Sequence, residues 1–222
     1  MPSGTLALIG GGELSEGCSF DAALLQASGA DEVLVLPTGA AYEHPQRLVD
    51  RAADWLGRLG AKTRGLDVLR RPDAYEEANV DAVRRARFLY LVGGSPMHAR
   101  SVLKDSPVWD ALVAAWHDGA TLAGSHAGAM VVCDPMVDPR GGAFTLGLGL
   151  VSNLAVIPQH DHWSEDAAHR TRVLSPPDLI LVGIDERTAL IRDPNGSWRA
   201  EGAGEVVVFR GGQPATLADL PG

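Results

Sequence analysis

Short apolar runs that stop at a glycine or a proline recur along this chain, and helix-like stretches separate them. "TLALIGGG", "EVLVLPTGA", "RFLYLVGG" and "ATLAG" are too short for buried helices and too continuously apolar for strands with one wet face. Between them, "FDAALLQASG" closes at Gly29, and "SPVWDALVAAWHDG" reads as a second helix. "PQRLVDRAADWLGRLGA" puts Leu48, Ala52, Trp55, Leu56 and Leu59 on one helical stripe. "TRGLDVL" adds a strand and "VDAVRRA" a short helix. Strands buried on both faces and alternating with helices require βαβ units. The predicted fold is therefore α/β, an open, mainly parallel sheet with helices on both faces. The last third differs: "LAVIPQH", "LILVGIDERTALIRD" and "GEVVVFRGG" read as strands with few helices between them, added antiparallel at one side. No repeat, low-complexity tract or linker interrupts residues 1–222, so one domain is expected.

Composition narrows the partners. The net charge is −9, from 28 acidic and 19 basic residues, with no basic stripe. That balance argues against nucleic acid or an anionic membrane as the main partner. Arg84, Arg85 and Arg87 follow the acidic "YEEANVD" and read as a solvated helix face. Cys18 and Cys133 lie far apart with no CxxC, which fits a reducing compartment and a cytoplasmic location. Cys133, in an apolar helical run, reads as a buried thiol, and Cys18, in "SEGCSF", as the more exposed one. The opening "MPSGTLALIGGG" has no basic n-region, and its apolar run is too short for a signal peptide or a membrane span.

Three glycine turns end predicted parallel strands: Gly10 to Gly12, Gly93-Gly94, and Gly124 onward. Ligands of open α/β sheets bind outside those strand ends. The first turn lacks the third glycine of a dinucleotide fingerprint, since Ser15 stands there, so it reads as a tight βα turn and no cofactor is expected. The third, "AGSHAGA", has the G-x-x-x-G frame of a nucleophile elbow, but its central residue is His126 rather than serine. An elbow needs two backbone N–H groups as an oxyanion hole, and Gly94 and Ala127 stand where they would supply them. Downstream, "IPQHDHW" carries His160, Asp161 and His162, and "GIDERTAL" carries Asp185 and Glu186 inside an apolar stretch. Buried carboxylates need partners, and a histidine oriented by a carboxylate is the base half of a triad.

Taken in order, "LIGGGE", "LVGG", "GSHAGAM", "LGLGL", "IPQHDHW" with "RTRVL" after it, and "GIDERTAL" resemble the cyanophycinase and aspartyl dipeptidase (peptidase E) family of serine peptidases. The resemblance covers nearly the whole chain and implies a fold similar to class I glutamine amidotransferases. It places the nucleophile at position 126, the base at His160 of the Gln159-His160 pair, its orienting carboxylate at Glu186, and the oxyanion hole at Gly94 and Ala127. It also implies a small peptide or peptide-like ligand, with a homodimer as one option. Two positions depart from the family: His126 replaces the serine, and Ser95-Pro96 follow Gly93-Gly94 where an acidic or amide residue and a glutamine are usual. Ordinary peptidase activity is therefore expected to be lost. Ser125, preceding the central residue of the turn, should face away from the cleft. The alternative is a hydrolase using an activated water, or a metal held by His126, His160 and Glu186 with Asp161 and His162 nearby in sequence. A hydrogen-bonded pair of His126 and His160 would fill the same space without a metal.

Overall fold

The computed structural model describes residues 3–221. In chain order the elements begin with β1 (Leu6–Ile9), α1 (Phe20–Ser28), β2 (Glu32–Leu36), α2 (Pro45–Arg58), β3 (Lys62–Gly65), α3 (Glu77–Arg85), β4 (Phe88–Leu91) and α4 (Pro96–Leu103). They continue through α5 (Pro107–His117), β5 (Thr121–Ser125), α6 (Ala127–Val131) and four two-residue strands, β6 (Cys133–Asp134), β7 (Met136–Val137), β8 (Phe144–Thr145) and β9 (Val151–Ser152). The last part comprises β10 (Leu154–Pro158), α7 (Glu165–Val173), β11 (Ile180–Ile184), β12 (Thr188–Arg192), β13 (Trp198–Gly202), β14 (Val206–Arg210) and β15 (Gln213–Ala215).

The main sheet has seven strands in the order β13-β12-β1-β5-β4-β2-β3. Its five strands from β1 to β3 are parallel, whereas β12 runs antiparallel to β1 and β13 antiparallel to β12. Side chains alternate across a strand, so each apolar run feeds two cores. Ala7, Ile9, Val33, Val35, Phe88 and Tyr90 pack toward α1 and α2 through Phe20, Leu24, Ala52 and Leu56. Leu6, Leu8, Leu34, Leu36, Leu89 and Leu91 face the opposite core, where α3 and α5 contribute Val80, Val83, Leu112 and Trp116. The continuous apolar strands are explained by burial on both sides. Among the described residues, no helix is long and apolar enough to cross a membrane.

The C-terminal third builds a second sheet, β10-β11-β14-β15. Its pairings are antiparallel except β10 with β11, which are parallel, with α7 in the connection. The segment read as one strand, "LILVGIDERTALIRD", divides at Asp185–Arg187: β11 belongs to the second sheet and β12 to the first. The corner is pinned to the first glycine turn, because Arg187 N–H donates to the Gly11 carbonyl (2.7 Å) and Gly10 N–H to the Thr188 carbonyl (3.0 Å).

Other local expectations are corrected. Cys18 is buried, not exposed, with its Sγ 3.6 Å from the Gly12 carbonyl oxygen. Cys133 is buried but lies in β6, just past α6. Helix α4, absent from the pattern reading, is started by Ser95, whose Oγ accepts the His98 N–H (3.2 Å), and by Pro96 in its first turn. A proline there forfeits only an N–H that no helix would use. Ser106 caps α5 in the same way: its buried hydroxyl accepts the Trp109 N–H (3.2 Å) and donates to the Leu103 carbonyl (2.7 Å). Replacing Ser106 with Ala is expected to cost about 1–2 kcal/mol, the usual worth of a lost cap. Urea denaturation should report it as a lower midpoint at unchanged slope.

Candidate functional site

The C-terminal ends of β1, β5 and β4 are neighbours, so their glycine turns meet at one edge of the sheet. At the end of β5, His126 adopts φ 48° and ψ −108°, a conformation that L-residues avoid and that turns the chain directly into α6. Its N–H donates to the Ile9 carbonyl (2.9 Å), and its carbonyl accepts from Met130 N–H (3.0 Å). The flanking glycines are dictated by this crossing. A β-carbon on Gly124 would sit 2.7 Å from the Gly128 carbonyl carbon, and one on Gly128 would strike the Leu91 carbonyl oxygen. The frame therefore lets α6 rest its backbone on β5 and β4. Ser125 is fully buried and its hydroxyl has no hydrogen-bond partner, so it cannot stand in as a solvent-facing group.

His126 lines two cavities. One, of about 210 Å³, is bounded by Gly11, Glu13, Glu43, Gly93, Gly94 and Gln159. The other, of about 510 Å³, lies toward Met130, Arg140, Pro158, Trp163 and Arg170. A larger cavity of about 580 Å³ opens between Glu32, Arg64, Arg85 and Arg87, beside the N-terminal ends of β2 and β4 and away from these turns. Gly94 sits at φ 117°, packed on Gly39, and the next N–H, that of Ser95, donates to the Gly39 carbonyl (2.8 Å). Ala127 opens α6, so its N–H belongs to a first turn that has no intrahelical acceptor.

The structure rearranges the expected base pair. Gln159, in left-handed backbone geometry (φ 49°), is the residue that shares a cavity with His126, and its Nε2 donates to Glu186 Oε1 at 2.6 Å. Glu186 is held further by its own N–H, which donates to Asp161 Oδ1 (3.0 Å), and its Oε2 lies 3.6 Å from His162 Nε2. His160, the expected partner of Glu186, instead faces Asp185, with Nδ1 3.8 Å from Oδ1. Asp185 is itself held by the Glu205 N–H (2.8 Å). The His160 ring lies on Gly183 so closely that a β-carbon there would overlap the imidazole, and it lines a separate cavity with Trp163, His169 and Arg172. Burial pushes the His160 imidazole below its ordinary pKa, against the opposing pull of Asp185. A hydrogen-bonded pair of His126 and His160 is not formed. The physical reason is the single left-handed residue at 159, which sends one side chain of the Gln-His pair to each side of the strand end.

The described residues contain no group of three His, Cys, Asp or Glu side chains placed to hold a metal ion. Two groups escaped the sequence reading. Glu13, the last letter of "LIGGGE", is buried beside His126 and accepts the Gly93 N–H (3.2 Å). Glu43 reaches the same cavity from the loop before α2. A carboxylate directly after a strand-ending glycine turn was the available signal for Glu13, whereas nothing local marks Glu43.

Comparisons with known proteins identify the family and the fold. The chain is 26% identical over 204 residues to a cyanophycinase of Synechococcus elongatus, which covers 82% of this chain and 60% of that protein. It is 26% identical over 199 residues to a cyanophycinase of Geminocystis herdmanii, covering 83% and 72%. The chain thus spans less than two thirds of the length of the Synechococcus relative. Among solved structures, a peptidase from an acI-B1 Actinobacterium superimposes with a TM-score of 0.85 at 31% identity, covering 94% of this chain and 91% of that one. The profile of peptidase family S51 matches residues 6–196, from β1 into the turn after β12, and the chain belongs to that family.

Proposed function

We propose that this family S51 protein binds a small peptide or peptide-like ligand at the His126 turn and does not cleave it by the acyl-enzyme route of a serine peptidase. The carrying observation is what stands beside His126: the amide of Gln159 lines its cavity and donates to Glu186, whereas the His160 imidazole lies on Gly183 and lines another cavity. Acylation needs a hydroxyl to attack and a base to take its proton. Position 126 offers an imidazole, whose acyl adducts are labile, and position 159 offers a side chain that cannot titrate. What such a site retains is a shaped cleft with backbone N–H groups at Gly94 and Ala127 and two side cavities. Those features suit recognition of a carbonyl-bearing ligand. The test is incubation with a fluorophosphonate probe, followed by intact mass and by aspartyl-dipeptide turnover. No adduct and no turnover above a heat-denatured control are expected; a stoichiometric serine adduct, at Ser125 or elsewhere, would sink the reading.

A further inference from the structure

We propose that the buried carboxyl of Asp21 is a proton switch for one wall of the cleft: in its neutral form it keeps residues 11–20 closed, and their local opening releases its proton to solvent. Such a switch operates whatever the cleft binds.

Residues 11–20 run from the cleft to the start of α1. Gly11, Gly12 and Glu13 line the cavity beside His126, and Glu13 ties the segment to the end of β4 by accepting the Gly93 N–H. Behind them the chain winds back in short steps. Ser15 Oγ donates to the Gly12 carbonyl (2.6 Å), Cys18 N–H to the Ser15 carbonyl (3.1 Å) and Asp21 N–H to the Cys18 carbonyl (3.2 Å). This is the weak side of the structure around Asp21. Leu14 is held at φ 58°, a strained geometry that persists only while its surroundings enforce it. Ser19, at the start of α1, makes no side-chain capping hydrogen bond. Glu16, Gly17 and Ser19 face solvent, so displacing this segment admits water to Asp21, whereas Tyr90 lies inside the sheet.

Among the described residues no cation faces Asp21. Trp55 from α2, Tyr90 from β4, Cys18 from the loop and Glu13 from the glycine turn are the polar side chains that bear on it. From the same core, β1 and β2 present Ala7, Ile9, Val33 and Val35, none of them polar. Trp55 gives its one N–H to Oδ2, while Oδ1 and the Tyr90 hydroxyl have no partner. One indole N–H cannot replace the water that a carboxylate needs, and Glu13 adds a like charge. Burial therefore raises the Asp21 pKa to about 7, with Trp55 opposing and Glu13 reinforcing. Once the segment opens, water solvates the carboxylate and it ionises near its ordinary value of about 4. Opening thus releases a proton between those values. Its equilibrium constant must rise about tenfold per pH unit across that window and level off above it.

The two cysteines of the chain report on this directly, because buried Cys18 lies in the segment and buried Cys133 lies in β6. Alkylation of the native protein, divided by that of the urea-unfolded protein at the same pH, measures how often each thiol is uncovered once the modified peptides are separated by mass. From about pH 5.5 to pH 7 the relative rate at Cys18 should rise about tenfold per unit. It should exceed the rate at Cys133 at least about tenfold, since a segment opens more often than the whole molecule unfolds. Asp21→Asn keeps an acceptor for Trp55 and should abolish the rise. Glu13→Gln removes the like charge, should move the levelling-off to lower pH, and serves where Asp21→Asn does not fold. A relative rate at Cys18 that ignores pH, a rise that survives Asp21→Asn, or a levelling-off unmoved in Glu13→Gln would each overturn the switch. Equal relative rates at the two cysteines would do so as well, by showing that only global unfolding uncovers the segment.

Discussion

Restoring peptidase chemistry is expected to require two substitutions together, His126→Ser and Gln159→His, with neither alone raising aspartyl-dipeptide cleavage by more than about tenfold. The members of a hydrolytic triad act as a unit: losing the nucleophile or the base alone costs about as much as losing all of them, roughly 10⁶ in turnover. Returning one to a site that, as proposed, lacks both should therefore recover little. A serine at 126 would face an amide, and an imidazole at 159 would have no hydroxyl to deprotonate. With both present, the Glu186 oxygen that now accepts the Gln159 amide would accept an imidazole N–H. The double variant should gain at least about 10²-fold over the parent and become labelled by fluorophosphonate, the two changes being strongly non-additive. The decisive comparison is the single His126→Ser variant. High activity there would mean that His160 swings from Gly183 to serve as base, and the assignment of position 159 would be wrong. A double variant that folds, by circular dichroism, yet remains inert would also defeat it.

The second large effect concerns stability and lies behind the first glycine turn. Asp21 is fully buried on α1, with Oδ2 accepting the Trp55 Nε1–H at 2.8 Å and Oδ1 without a partner. Burial raises its pKa to about 7; the Trp55 hydrogen bond opposes the shift and the nearby Glu13 charge reinforces it. An unfolded chain gives up the same proton near pH 4. Between those values the folded state binds a proton that the unfolded state does not, so stability must fall as pH rises through this window. At about 1.4 kcal/mol per unit, going from pH 5 to pH 8 should cost the native protein about 3 kcal/mol through this one group. Asp21→Asn keeps an acceptor for Trp55 and removes the titration. Urea midpoints at pH 5 and pH 8 should therefore converge between the two proteins at the lower pH and favour the variant at the higher. Parallel pH curves would show that Asp21 ionises in the folded protein as it does in the unfolded chain.

The parallel sheet was legible because burial on both faces leaves an unambiguous mark: Leu6 and Leu8 must be apolar for one core, and Ala7 and Ile9 for the other. The turn at His126 was legible for a similar reason, since only glycine permits the backbone contacts at 124 and 128. Motif order also identified the stretch at 159 to 162 and the pair at 185 and 186 as the polar groups to watch. It could not tell Gln159 from His160, or Glu186 from Asp185, because adjacent residues differ only in which way a turn throws them. That choice was made by left-handed backbone at Gln159 and Arg187, each tied by its N–H to the carbonyls of Gly10 and Gly11. Helix α4 was missed because its first turn hides in "GGSP", where the capping serine and the proline read as punctuation.

The groups around His126 come from Gly11 to Glu13, Glu43, Gly93-Gly94, His126, Gln159 and Glu186, segments that touch only when both sheets have closed. No stretch of the unfolded chain carries even half of this cleft. A ligand that fits it therefore binds the native state alone and raises the unfolding free energy according to its concentration relative to its dissociation constant, by about 2.7 kcal/mol at a hundred times that constant. Melting temperature thus becomes a readout of recognition that needs no knowledge of any reaction. Compound libraries can be sorted by how far each raises it, with the cleft itself choosing the natural ligand.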